Sequence, residues 1–338
     1  MTILVTGGAG YIGSHICVEL LQNGYDVIVI DNLSNSKSEV FNRIRKITKR
    51  NVKFYKMDLL DKNSLEAVFQ SESITTVIHL AGWKAVGESV REPLKYYQNN
   101  IMGTLNLCEV MARFGVKNLI FSSSATVYGN SACIPFTEEC PVGQPASPYS
   151  WSKVMQEQML TDLYKADDRW NIVILRYFNP VSAHESGLLG EDPRGIPNNL
   201  FPNIAQVAIG RKKHLDIYGN DYPTPDGTAI RDYIHVVDLA KGHRKALKLM
   251  VSDSGIHVYN LGTGIGYSVL EVLHAYEQAC GKTLPYVMKS RRAGDIAAYY
   301  CEPAKARQKL DWEAEYGIEA MCRDSWRWQR MNPRGYDE

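Results

Sequence analysis

Leu4-Val5-Thr6-Gly7-Gly8-Ala9-Gly10-Tyr11-Ile12-Gly13-Ser14-His15 is the stretch whose reading decides the fold. The run Ile3-Leu4-Val5 reads as a short strand, and Ile16 to Leu21 carries a helical apolar period. Between them, Gly7, Gly10 and Gly13 form Gly-x-x-Gly-x-x-Gly, a variant of the dinucleotide fingerprint. Such glycines permit a tight turn, let the backbone approach a pyrophosphate, and seat the helix close to the strand. The helix N-terminus then presents N–H groups to the phosphates. A glycine-rich loop alone is weak evidence, but here it sits between a strand and a helix. Asp31 closes the second strand 18 residues after Gly13. A carboxylate there can bind an adenosine ribose diol and would repel a 2′-phosphate, which favours NAD over NADP. Its alternative role is to cap the strand end.

Outward from this unit the pattern repeats. Val27–Ile30, Lys53–Tyr55, Thr76–Leu80, Asn118–Phe121 and Ile172–Leu175 read as further strands. Helical periods at Ser64–Phe69 and Leu94–Phe114 fall between them. Continuous apolar strands separated by helices predict an α/β fold, a doubly wound, Rossmann-like parallel sheet covered on both faces. Asp58, after the third strand, stands where an adenine amino group would be read, and equally where a turn needs a cap. Ala81-Gly82 marks a further carboxyl-terminal strand edge, where such sheets bind ligands. Beyond residue 180 the texture changes. Glycine, proline and asparagine crowd Ser186–Asn199 and Tyr218–Gly227, which makes these loops candidate substrate segments. Helical periods return at Val236–Leu249, Val269–Ala279 and Ala304–Leu310. The expected division is a nucleotide-binding domain over 1–180 and a smaller C-terminal substrate-binding lobe over 181–338, with some segments returning to the first domain.

The 338 residues suit one large domain or two ordinary ones. Lys and Arg number 38 against 37 Asp and Glu, a net charge of +1, which argues against a nucleic-acid binder or a polybasic membrane-surface protein. Apolar residues at 45% and charged residues at 22% describe an ordinary globular chain. The 7 cysteines are scattered, odd in number and without a Cys-x-x-Cys unit, which suits a reducing compartment better than a disulfide scaffold. The N-terminus lacks a basic leader, and no stretch reaches the roughly 20 apolar residues of a membrane span. The expected location is the cytoplasm. None of the 8 histidines has metal-site spacing, so no metal is expected. Arg211-Lys212-Lys213 reads as a solvated face, and His235 as structural.

Tyr149-Ser150-Trp151-Ser152-Lys153 places a phenol and an ammonium at i and i+4, one turn apart on one helix face. A phenol titrates near about 10 and is a poor base at neutral pH. A neighbouring ammonium, with the positive nicotinamide of an oxidised cofactor, would stabilise the phenolate and lower that value. Such a tyrosine accepts a hydroxyl proton while hydride leaves the same carbon. Ser124, ending the fifth strand in Ser122-Ser123-Ser124, would hydrogen-bond the reacting oxygen, or else cap the following turn.

Together, Gly7, Gly10, Gly13, Asp31, Ser124, Tyr149 and Lys153 resemble the extended short-chain dehydrogenase/reductases. Longer strings are similar to the UDP-hexose 4-epimerases among them: Lys84-Ala85-Val86-Gly87-Glu88-Ser89, Ser122 to Gly129, and Arg176-Tyr177-Phe178-Asn179-Pro180. Gly195-Ile196-Pro197-Asn198-Asn199-Leu200 and Gly227 to His235 continue the likeness through both lobes. The resemblance implies a tightly held NAD and the interconversion of UDP-glucose and UDP-galactose through a 4-keto sugar, with Ser124, Tyr149 and Lys153 as catalytic residues. It also implies that Gly7, Gly10, Tyr11, Ile12, Gly13, Asp31, Asn32, Asn35, Ser36, Asp58 and Leu59 contact the cofactor. Ala81, Gly82, Lys84, Asn99, Ser124, Tyr149, Lys153, Tyr177 and Phe178 complete that set. The UDP-sugar would meet Lys84, Ser124, Tyr149, Asn179, Asn199, Leu200, Tyr218, Arg231, Tyr233, Arg292, Asp295 and Tyr299. Arg231 and Arg292 suit the diphosphate, because guanidinium clamps phosphate bidentately. A homodimer through the helices near 94–114 and 149–166 is implied as well.

Three departures stand out. Ser150 and Trp151 replace the small and basic residues that often follow the tyrosine, and Ala297 stands where proline is common. The bulk of Tyr299 argues for unsubstituted hexoses over their N-acetylamino forms. A sugar-nucleotide 4,6-dehydratase would need an acid and a base, usually Asp-Glu, where Ala125-Thr126 stand. A non-catalytic NAD-sensing protein would not need an intact Ser124, Tyr149 and Lys153.

Overall fold

A computed structural model describes residues 1–130, 133–195, 197, 199–292 and 295–337. Ile196 and Asn198 of the glycine–proline–asparagine string lie outside the described residues. Strands and helices alternate as the periodicity predicts: β1 (Thr2–Thr6), α1 (Tyr11–Gln22), β2 (Asp26–Asp31), α2 (Glu39–Thr48), β3 (Lys53–Lys56), α3 (Lys62–Ser71) and β4 (Thr76–His79). Next come α4 (Val86–Arg91), α5 (Pro93–Tyr97), α6 (Gly103–Arg113), β5 (Asn118–Ser124), α7 (Pro148–Ala166) and β6 (Asn171–Tyr177).

The helix expected over Leu94–Phe114 is not regular. A π-turn over Gln98–Met102 joins α5 to α6. At this turn the buried Asn100 amide accepts from the Trp83 N–H (2.8 Å) and donates to the Trp83 carbonyl (3.0 Å) and the Ser152 hydroxyl (3.1 Å). The irregularity thus ties the loop after β4 to α7.

The second half contributes β7 (Asn179–Val181), α8 (Leu200–Ala208), β8 (Leu215–Tyr218), β9 (Ile230–His235), α9 (Val236–Ser252) and β10 (Ile256–Leu261). It ends with β11 (Gly266–Ser268), α10 (Val269–Cys280), β12 (Tyr286–Lys289), β13 (Ala298–Tyr299), α11 (Ala304–Leu310) and α12 (Ile318–Met331). The main sheet has 7 parallel strands in the order β10-β6-β5-β4-β1-β2-β3. The sequence pattern supplied six of them. The seventh, β10, returns from beyond β9 and pairs with β6 from Ile256↔Ile172 to Leu261↔Tyr177.

Successive side chains of each strand feed opposite cores, as a doubly covered sheet requires. Ile3, Val5, Val29, Ile120 and Val173 pack on the α1 and α9 side. Leu4, Ile28, Val77, Leu119 and Ile172 pack on the α3 and α6 side. A third core under α8, α10 and α12 belongs to the second lobe. There β9 is flanked by β7, β11 and β13, while β8 pairs with β12.

Two features were not expected. Cys133 and Cys140 form a disulfide, where the scattered, odd-numbered cysteines suit a reducing compartment better than a disulfide scaffold. The reason is tertiary: the loop between them docks Phe136 along β13, with the Phe136 N–H on the Tyr300 carbonyl (3.0 Å) and the Glu302 N–H on the Phe136 carbonyl (2.9 Å). The second feature is the C-terminal segment, which reaches the first domain. Lys37 pairs with both Asp192 (2.9 Å) and Asp337 (2.7 Å), and the Tyr336 hydroxyl bonds Gly190.

One buried ion pair fastens α7 to the sheet. Arg176 of β6 donates Nε to Glu157 Oε1 (3.0 Å) and Nη2 to Oε2 (2.6 Å), with side chains 6% and 9% exposed. Ser123 donates to the same carboxylate, and Arg176 Nη1 bonds the Tyr128 hydroxyl (3.0 Å). Removing one partner strands a buried charge, so Arg176→Met is expected to cost about 3–5 kcal/mol. Urea denaturation measures this, and adding Glu157→Gln should restore part of the loss. Unchanged stability in the single variant would refute the assignment.

Candidate active site

The site starts at the glycine loop. Gly7 has φ +71°, and a Cβ there would lie 2.9 Å from the Ala81 nitrogen. A Cβ on Gly13 would fall 2.3 Å from the Gly7 carbonyl oxygen and 2.7 Å from Gly8 Cα. Only glycine fits either position. Helix α1 begins after Gly10 with no side-chain cap, so its first N–H groups remain available to an anion. Asp31 Oδ2 accepts from the Ala9 N–H (3.1 Å), while Oδ1 accepts from the Leu33 N–H (2.8 Å) and the Ser36 hydroxyl (2.9 Å). Burial raises its pKa, and these three hydrogen bonds oppose the rise. The carboxylate therefore caps the strand end and braces the glycine loop while lining the cavity. Asp58 likewise holds Asn32 Nδ2 (2.7 Å) and the Leu60 N–H (2.9 Å), the turn role left open in the sequence. These residues fit NAD: a cradle that side chains would fill, an uncapped helix N-terminus and a carboxylate at the end of β2.

Helix α7 positions the reacting groups. Ser147 caps it, accepting from the Ser150 N–H (3.2 Å), and the Ser150 hydroxyl lies 3.0 Å from the Ser147 hydroxyl. The departure at 150 thus serves the cap, and Trp151 points outward at 38% exposure. Tyr149 and Lys153 face the cavity with Ser124. Lys153 Nζ donates to the Ser122 carbonyl (2.6 Å) and stands 4.7 Å from the Phe121 ring centroid. Burial lowers its pKa to about 8, and Glu157, one turn further on, opposes that shift.

Burial raises the pKa of Tyr149, and the hydrogen bond with Ser124 pulls it down. Lys153 donates to the Ser122 carbonyl and is not among the groups that lower the phenol's pKa. Ser124 also accepts from the Thr126 N–H (3.3 Å) and hydroxyl (3.0 Å), combining the capping role with a place at the site.

A cavity of about 500 Å³ connects the glycine loop, the Ser124–Tyr149–Lys153 wall and the second lobe. All the cofactor residues named from the sequence line it, as do Asn179, Asn199, Leu200, Arg231, Tyr233 and Arg292. Tyr218, Asp295 and Tyr299 do not; they stand one layer behind. Asp295 pairs with Arg292 (2.9 Å) and, more loosely, with Arg231 (3.9 Å). Tyr218 lies 5.0 Å beneath the Arg292 guanidinium. Tyr299 bonds the Ala125 carbonyl and packs on Phe136 and Phe178 with ring centroids 4.5 and 5.7 Å away. Other groups already satisfy them, so they orient the lining. Among the described residues, no cluster of His, Cys, Asp and Glu could hold a metal ion.

Sequence reasoning missed Lys37, Trp83, Thr126, Glu191, Asp192 and Tyr336, which also line the cavity. The crowding of glycine and proline over Ser186–Asn199 signalled the loop of Glu191 and Asp192. Nothing local marks Tyr336.

Comparison with known proteins follows this geometry. A family model described as GDP-mannose 4,6 dehydratase matches residues 4–325. The UDP-glucose 4-epimerase of Bacillus subtilis (strain 168) is 57% identical over 336 residues, covering 99% of both chains. That of Mus musculus is 54% identical over 340 residues, covering 99% of this chain and 98% of the relative. The crystal structure of UDP-glucose 4-epimerase from Bifidobacterium longum in complex with NAD+ and UDP superposes with a TM-score of 0.96. It shares 55% identity and covers 99% of this chain and 100% of its own. Likeness at this level spans both lobes and every motif quoted above: the chain belongs to the UDP-glucose 4-epimerase family of the extended short-chain dehydrogenase/reductases.

Proposed function

We propose that the chain interconverts UDP-glucose and UDP-galactose by transient oxidation at C4, using a resident NAD. The observation that carries this reading is the single cavity that joins an NAD cradle, the Ser124–Tyr149–Lys153 wall and two arginines. On this reading the seven-stranded unit holds the cofactor and the smaller lobe holds UDP-hexose. Arg231 and Arg292, aligned by Asp295, take the diphosphate. Tyr149 accepts the 4-hydroxyl proton and later returns it, Ser124 holds the reacting oxygen, and the Lys153 ammonium favours the phenolate. The glycine loop, the N-terminus of α1 and Asp31 would hold NAD, which would supply a reversible hydride acceptor for C4 and a positive charge to oppose the burial penalty on Tyr149.

The dehydratase named by the family model also oxidises C4, but dehydration needs an acid–base pair that Ala125-Thr126 do not provide, and Thr126 is engaged with Ser124. Unsubstituted hexoses are the proposed substrates: Tyr299, outside the cavity lining, packs behind Phe178 and keeps that lining ring from yielding to a larger group. The intact catalytic wall speaks against a non-catalytic NAD sensor. Five of the 7 cysteines are free, and among the described residues no helix is long and apolar enough to cross a membrane. A cytoplasmic location completes the proposal.

Purified protein given UDP-galactose without added NAD should form UDP-glucose; no product, or a 4-keto-6-deoxy sugar, overturns the reading. Tyr149→Phe keeps the ring and should lower kcat by at least about 10²-fold, the lower end for acid–base catalysis. Near-normal turnover in that variant would move the base elsewhere.

The chain is also proposed to form a homodimer. Val86, Val90, Leu94, Met102, Trp151 and Met155 are exposed apolar side chains on α4, α5, the π-turn and α7, which pack on one another. A patch of this kind marks an interface. Leu94, at 80% exposure, is the sharpest probe: Leu94→Arg should shift sedimentation toward monomer. A wild-type monomer would end this proposal.

A further inference from the structure

We infer that Glu191 is the carboxylate that accepts hydroxyls of the hexose ring, an inference that rests on the epimerase reading above. Glu191 follows β7 in the glycine–proline loop, with its side chain 11% exposed. Its Oε1 accepts from Asn199 Nδ2 (2.8 Å) and pairs with Lys84 Nζ (3.2 Å). Among the described residues Oε2 has no hydrogen-bond partner, and Glu191 lines the main cavity. Lys84 belongs to the loop after β4, and Asn199 precedes α8 in the second lobe. The carboxylate therefore bridges the two sides of the cleft.

Charge tells which part of a ligand belongs there. Both NAD and a UDP-sugar carry diphosphates, and a carboxylate repels them. Elsewhere the cavity meets anions with N–H groups and guanidinium. A carboxylate accepts only, an ammonium donates only, and an amide N–H donates. Lys84, Glu191 and Asn199 thus form a donor–acceptor–donor array, which suits adjacent ring hydroxyls that each donate and accept. Asp31 already suits the adenosine ribose. The three remaining polyols are the hexose, the nicotinamide ribose and the uridine ribose. The link to Asn199, in the lobe that also carries Arg231 and Arg292, selects the UDP-sugar. The link to Lys84, on the loop after β4, selects its hexose, because the uridine ribose lies beyond the diphosphate that those arginines would hold.

Glu191→Ala and the isosteric Glu191→Gln test this by calorimetric titration of each holoenzyme with UDP-glucose and with UDP. NAD content is measured after denaturation. The Ala variant should bind UDP-glucose about 10- to 100-fold more weakly, the range for a hydrogen bond to a charged group, with UDP affinity unchanged within about twofold. Gln keeps one acceptor oxygen and should fall between Ala and wild type. Equal losses for UDP and UDP-glucose would reduce Glu191 to an indirect role through Lys84 and Asn199, and overturn the inference. Lost NAD with an intact preference for UDP-glucose over UDP would assign the carboxylate to the cofactor ribose, and overturn it as well. So would unchanged affinities. Failure of wild-type turnover on UDP-galactose is a separate result, which would fall on the epimerase reading itself.

Discussion

The buried pair between Glu157 and Arg176 is the constraint on which the site depends. Two charges out of water stabilise little by themselves, but they tolerate only one arrangement. Glu157 lies one turn beyond Lys153, and Lys153 one turn beyond Tyr149, so fixing the carboxylate fixes the azimuth of the whole inner face of α7. Ser123 bonds the same carboxylate from the strand that ends in Ser124. Arg176 extends the network to Tyr128, whose hydroxyl donates to Asn260 Oδ1 (2.6 Å) on β10. Asn260 in turn donates to the Phe136 carbonyl (3.0 Å), inside the disulfide loop. One polar chain therefore sets the helix that carries Tyr149 and Lys153, the strand that ends in Ser124, and the Phe136 loop that packs on Tyr299.

The electrostatics are local throughout. A chain with a net charge of +1 offers no general attraction to two ligands that each carry a dianionic diphosphate. It supplies instead an uncapped helix N-terminus, two aligned guanidinium groups and one ammonium pushed down to about 8. Burial also raises the pKa of the Tyr149 phenol. Burial therefore disfavours the charged phenolate, and a positive charge beside it would oppose that effect.

Much of this was legible because it is local. The glycine loop, Asp31 and the Tyr149–Lys153 spacing are each written within a few residues, and buried parallel strands declare themselves as unbroken apolar runs. What escaped reading depends on distant partners. Strand β10 follows a stretch of the second lobe, and only pairing with β6 shows that it belongs to the first sheet. The π-turn at Asn100 keeps an apolar period that reads as plain helix. Cys133 and Cys140 meet because Phe136 docks beside β13. Tyr218, Asp295 and Tyr299 were read as ligand contacts, yet each is held by a neighbour one layer back. Glu191 carries no motif, being a single carboxylate in a loop. The expected depression of the Tyr149 pKa rests on the ammonium together with an oxidised nicotinamide; burial, which sequence spacing cannot express, acts against it.

The clasp at Lys37 couples segments that are distant in sequence. Lys37 is held at once by Asp192 and Asp337, and Tyr336 lines the cavity with its ring 4.8 Å from Trp328. Three segments far apart in sequence thus meet at one wall of the cavity. Neutralising Lys37 would release the loop of Asp192 and the segment of Asp337 together, so one cation governs how firmly that wall stands.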